Sequence, residues 1–218
     1  MKKPESKSKR TVASNDVTKD RRTGSHAERI LKFWLTPDHG AEDGLPIWSR
    51  WFVPDRDFDR LCKALFLSSY RDAAYGRLDG WKKTPRTCLA LVLLLDQFPR
   101  NMFRGTARAF VTDAKAREVS RHAIASGFDR ELPQIMRMFF YLPFEHSEHL
   151  NDQMDSVRLA VALADEYGES PEGTAIRNSA ELHLETIRRF GRFPGRNRAL
   201  GRRSTKEEIE FLKQGNAG

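Results

Sequence analysis

CLALVLLLDQF, residues 88–98, is the run whose reading decides the fold. Leu89, Leu91, Val92, Leu93, Leu94 and Leu95 leave almost no polar face, so the segment is buried on all sides. A strand would be rich in β-branched residues. Leucine and alanine dominate here, which favours a central buried helix. Thr84-Pro85 starts it, because proline at the first turn gives up an amide that has no partner anyway. Pro99 is expected to stop it.

The segments on either side carry the same signature. Ser25-x-x-Glu28 is a capping box before Ile30, Leu31, Phe33 and Trp34, and that helix ends at Thr36-Pro37. Residues 37–47 read as a loop, and Trp48, Trp51 and Phe52 as an aromatic cluster. Asp55 caps a long helix through Phe58, Cys62, Phe66 and Tyr70 to about Gly76. Thr106 is expected to cap a helix to Ser126, Leu132 to Tyr141 forms another, and Pro143 opens a long one to Tyr167. Glu172 to Phe190 follows, and Ser204-x-x-Glu207 caps a terminal helix to Lys213. No stretch alternates like a strand, so the fold class is all-α, a single helical domain over residues 25–218.

Residues 1–24 are a different kind of chain. They hold eight basic residues against three acidic ones and almost no large apolar side chain, so they are expected to be a disordered basic tail. The tail carries most of the formal charge of +8 and leaves +3 for the helical part, which argues against a basic nucleic-acid-binding domain. Cys62 and Cys88 lie in apolar stretches without C-x-x-C spacing, as buried thiols of a reducing compartment. No apolar run approaches the length of a membrane span, and no secretory segment begins the chain, so a cytoplasmic location is expected.

Chemistry-bearing residues gather in two places. Phe98-Pro99-Arg100-Asn101 with Arg104-Gly105-Thr106, and Phe193-Pro194-Gly195-Arg196-Asn197 with Gly201-Arg202, form two similar elbows. Each is expected to set a guanidinium beside the free amides of a helix N-terminus, a combination that favours carboxylate or phosphate. The alternative is that the arginines cap helix C-termini and pair with acidic residues elsewhere. The other place is Pro143-Phe144-Glu145-His146-Ser147-Glu148-His149, with Asp152 and Gln153 beyond it. On a helical wheel Leu150, Met154, Val157 and Val161 form the buried stripe, with His146 and Gln153 at its edge and Glu145, His149 and Asp152 on a polar flank. His183 shares an apolar face with Ile176, Ala180, Ile187 and Phe190. The spacing fits neither a zinc-protease nor a di-metal bundle motif, and there is no phosphate-binding glycine loop, so no metal and no cofactor are expected.

Leu95-Asp96-Gln97-Phe98-Pro99-Arg100-Asn101, Phe140-Tyr141-Leu142-Pro143-Phe144-Glu145-His146, Phe190-Gly191-Arg192-Phe193-Pro194 and Leu200-Gly201-Arg202 occur in that order. Together they resemble the bacterial domain-of-unknown-function family 924 over about Ile30 to Leu212. The resemblance implies an all-helical fold like the right-handed tetratricopeptide-repeat superhelices and brings no established activity. The residues themselves point to a helical scaffold or binding protein with an Arg/His-lined groove for an acidic peptide or anionic small molecule. Asp96, Arg100, Asn101, Arg104, Gln153, Arg192, Arg196 and Asn197 are the ligand-binding candidates. The alternative is an enzyme acting on an anionic metabolite, with His146, Glu148 or His183 in acid–base roles. Nucleic acid ranks last, since few aromatics interleave the basic residues.

Overall fold

A computed structural model describes residues 24–36 and 51–215. The tail up to residue 23, the loop at 37–47 and Trp48 lie outside the described residues. The helices are α1 (residues 24–35), α2 (Arg56–Ala74), α3 (Pro85–Met102), α4 (Asp113–Ala125), α5 (Gln134–Glu145), α6 (Leu150–Tyr167), α7 (Pro171–Phe190) and α8 (Lys206–Lys213). Short 3-10 turns at Asp79–Lys83, Ala107–Phe110 and Pro194–Arg196 join them, and there is no strand among the described residues. The fold is all-α. No helix among the described residues is long and apolar enough to cross a membrane.

α3 is the axis of the molecule. Every residue from Cys88 to Pro99 is buried, and α2, α4 and α5 all pack against it. Thr84 caps its start by accepting the Thr87 amide, with Pro85 in the first turn. Asp55 likewise caps α2, accepting the amides of Asp57 and Phe58. Phe98 lies 5.0 Å from the Trp34 ring and 5.1 Å from that of Phe66, tying α1 and α2 to the axis. Trp51 stands edge-on to Phe139 of α5 and donates its indole N–H to the Trp34 carbonyl. α5 to α7 then pack in sequence, α5 on α6 and α6 on α7.

Five expectations change. Pro99 does not stop α3, which runs on to Met102. Proline cannot donate to the Leu95 carbonyl one turn back, and the Thr112 hydroxyl takes its place at 2.6 Å. Pro143 lies inside α5 rather than opening a helix, and the chain breaks at residues 146–149 before α6 begins. α6 is also rotated from the wheel reading. Leu150 and Met154 are exposed, while Asp152, Gln153, Ser156, Ala160 and Leu163 face inward. The flank that looks polar in sequence is the buried one, where Asp152 and the Gln153 amide nitrogen have partners and Gln153 Oε1 and Ser156 Oγ have none among the described residues. Asp152 accepts from Ser147 and pairs with Arg117 and Arg121. Further along, Thr106 leads into the short turn Ala107–Phe110, with α4 starting only at Asp113. The terminal capping box is formed by Thr205 and Glu208, one residue later than expected.

Candidate functional site

Burying Asp96 in the last third of a leucine-rich helix requires compensation. Asp96 is 0% exposed. Its Oδ2 accepts from Gln97 Nε2 at 2.7 Å and its Oδ1 lies 3.2 Å from Arg100 Nη1. The imidazole of His146 completes the set, with Nδ1 at 2.9 and 3.0 Å from the two carboxylate oxygens. Burial pushes the Asp96 carboxyl up, but the charges of Arg100 and His146 and the hydrogen bonds from His146 and Gln97 outweigh it and hold the group well below the usual carboxylate range.

His146 caps the end of α5, and its position is set from α6. Gln153 Nε2 donates to the carbonyls of Glu145 and Ser147, each at 2.6 Å, and Ser147 Oγ donates to Asp152. The imidazole therefore sits on a strapped turn. Burial, then the charge of Arg100, lowers its pKa to about 4, so the ring is neutral near pH 7. An ionised carboxylate only accepts, so Nδ1 carries the proton toward Asp96 and the lone pair is on Nε2. Nε2 has no partner among the described residues, and the side chain keeps 17% of its exposure.

The two elbows converge on Asp113, at the start of α4. Arg100 reaches it from the last turn of α3 with two bonds, 3.0 and 3.1 Å. Arg196 reaches it from the 3-10 turn after α7 at 3.6 Å. The expected placement at helix N-termini does not hold for Arg100, which lies in the C-terminal turn of α3. Arg196 is clamped between the rings of Phe193 and Phe110, 4.4 and 4.8 Å from its guanidinium carbon. It makes no side-chain hydrogen bond among the described residues beyond the long approach to Asp113. Burial, then the Arg100 charge, lowers it to about 10, which leaves it cationic at neutral pH.

A second pair adjoins the first. Glu145, at the end of α5, accepts from Ser179 Oγ at 2.7 Å and lies 3.3 Å from His183 Nδ1. His183 Nδ1 is also 2.8 Å from the Ser179 carbonyl, which fixes it as the protonated nitrogen. The His183 ring stands 5.4 Å from that of Phe193, the same ring that backs Arg196. Burial raises the Glu145 carboxyl despite the opposing pull of His183 and Ser179.

The remaining sequence candidates serve the frame. Glu148 forms two bonds to Arg202, at 2.7 and 2.9 Å, and accepts the Phe193 amide, so it positions that ring. Arg202 and Phe193's amide hold it below its usual range although burial opposes them. Asn101 and Arg104 both go to Asp59, away from the imidazoles. Arg192 and Asn197 both reach Glu208 on α8. Pairing with acidic residues thus accounts for most of the elbow arginines, and Arg196 is the recessed exception. Asp113 and Phe110 were not legible as site residues, because a carboxylate in the first turn of a helix ordinarily answers the helix dipole. Ser179 was missed as an unremarkable helical serine.

A model of a family described as bacterial protein of unknown function (DUF924) matches residues 30–216. The chain belongs to the DUF924 family. It is also similar to a solved structure, the protein of unknown function ATU0120 from Agrobacterium tumefaciens. The two are 38% identical over 88% of this chain and 99% of that one, with a TM-score of 0.74. A comparison with curated proteins gives no match. The DUF924 assignment and this neighbour agree on the helical fold and leave the activity to be argued from the site.

Proposed function

We propose that this protein binds an anionic small molecule at the junction of Arg196, His146 and Arg100. The observation that carries the reading is Arg196: a cation clamped by two rings, with a single long ion pair, beside an imidazole whose Nε2 is unpartnered among the described residues. A hydrogen phosphate would complete the guanidinium fork and donate its P–OH to the Nε2 lone pair, whereas an ionised carboxylate, which only accepts, would engage the guanidinium alone. Arg196 and His146 keep only 11% and 17% of their side-chain exposure, which suits a compact anionic group better than an acidic peptide. The successive packing of α5, α6 and α7 fits a superhelical, tetratricopeptide-like stack. The buried cysteine thiols of Cys62 and Cys88 fit a reducing compartment such as the cytoplasm.

An enzymatic reading is favoured by one specific feature, the Asp96–His146 pair. A carboxylate that fixes the tautomer and presents Nε2 outward is the arrangement of a general base. In that reading Arg196 and Arg100 hold the substrate and Nε2 takes its proton. Asp96→Asn would then lower turnover far more than binding, because it releases the tautomer.

Calorimetric titration with inorganic phosphate, pyrophosphate and succinate tests the binding reading. Arg196→Met should weaken the best of these by roughly 10-fold or more, the loss of a charge-assisted pair. Arg104→Met, engaged with Asp59, should leave it unchanged. Equal affinity in the Arg196 variant and the wild type would overturn the proposal.

A further inference from the structure

A cavity of about 510 Å³ opens between α5, α6 and α7, and Glu145 lines it. Its walls are apolar, with Met138, Leu142, Leu163 and Ile176 among them. Its polar members are Glu145, Glu172, Ser179 and Tyr141, and no lysine, arginine or histidine lines it among the described residues. Tyr141 is already committed, donating its hydroxyl to Asp129 at 2.8 Å. Ser179 is committed as well, donating to Glu145 Oε1. That leaves Glu145 Oε2 without a partner among the described residues, on a side chain only 8% exposed. A volume of this size suits a drug-sized small molecule, and such pockets use few polar groups to orient an apolar ligand.

We infer that this cavity is a second binding site, for a small molecule with an apolar body and one cationic amine. The apolar walls take the body, and the Glu145 carboxylate, with Glu172 at the same cavity, takes the ammonium. The chemistry is opposite in sign to the Arg196 junction, so the two sites select different ligands. Burial disfavours the charged form of Glu145, and an ammonium brought into the cavity supplies a counter-charge at Oε2, whereas His183 Nδ1 lies 3.3 Å from Oε1. The carboxylates also discriminate against organic anions, which would meet two like charges and no cation.

The test uses the full chain and three probes of matched shape, naphthylethylamine, naphthylethanol and naphthylacetate, in calorimetric titration. The amine should bind about 10-fold tighter than the alcohol, from its charge-assisted contact, and the carboxylate weakest. Glu145→Gln keeps an oxygen for Ser179 and should remove the amine's advantage over the alcohol. Ala160→Leu, which fills the cavity from α6, should weaken both. Arg196→Met should leave the amine's affinity unchanged, which separates this site from the anion junction. Equal affinity for amine and alcohol, preference for the carboxylate, an advantage that survives in Glu145→Gln, or no binding of any probe would overturn the inference. If the Glu145 variant does not fold, the methyl resonances of Met138 and Ile176 in the wild-type chain decide. They should move on amine addition, and stationary signals count against the site.

Discussion

Asp96 keeps its charge inside a leucine helix because Gln97, Arg100 and His146 all donate to it or stand beside it. Burial, then the Arg100 charge, suppresses protonation of His146 from 6.5 to about 4, although Asp96 opposes them. Between those values the unfolded chain takes up a proton that the folded chain refuses. Stability should therefore fall as pH drops from 6.5 toward 4, by about 3 kcal/mol from this group. Glu145 acts in the opposite sense. Its raised carboxyl lets the folded chain hold a proton that the unfolded chain has released, so its contribution is present at low pH and lost as pH rises. His146→Asn isolates the first effect. Urea denaturation at both ends of that window should show a clearly smaller acid loss in the variant, and an equal loss would mean another group carries it. At this scale the sequence exposed His146, Arg100 and Arg196 as unusual, since each breaks from an apolar or proline-marked context. It did not expose Asp113, because only the fold brings residues 100 and 196 to one carboxylate.

Helix boundaries followed local chemistry at two clear caps. Asp55 and Thr84 each accept an amide at the start of a helix, and those starts were legible from the residues alone. Boundaries failed where tertiary contacts rescued a broken rule. Pro99 stays inside α3 because Thr112, thirteen residues on, supplies the missing donor to the Leu95 carbonyl. Thr112→Val preserves shape and removes only that hydroxyl. It should destabilise the chain by about 1–3 kcal/mol, the cost of a buried unsatisfied carbonyl, measured as a lowered denaturation midpoint with an unchanged slope. A neutral substitution would mean the carbonyl finds another donor. The rotation of α6 failed for a related reason. Hydropathy assigns Asp152 to a polar flank and Gln153 to the edge of the apolar stripe, whereas Ser147, Arg117, Arg121 and two backbone carbonyls hold them inside.

Across the whole molecule, the all-α class was readable from CLALVLLLDQF and the absence of strand alternation, and the DUF924 family model spans nearly the same residues as the motif string. The site was half readable. Its arginines and histidines stand out in sequence, but which of them are spent on structure depends on partners far away in the chain. Glu148 meets Arg202, and Arg104 meets Asp59. What remains unspent, Arg196 and the outward nitrogen of His146, comes from segments fifty residues apart that meet through α3, Asp113 and Phe193. Long-range proton–nitrogen correlation NMR on His146, run near neutral pH while inorganic phosphate and then succinate are added, tests that junction most directly. The account predicts a neutral ring protonated at Nδ1, with an Nε2 signal that moves on addition of one of these anions in the wild type and stays still in Arg196→Met. A ring protonated at Nε2 from the outset, or an Nε2 signal indifferent to both anions, would contradict it.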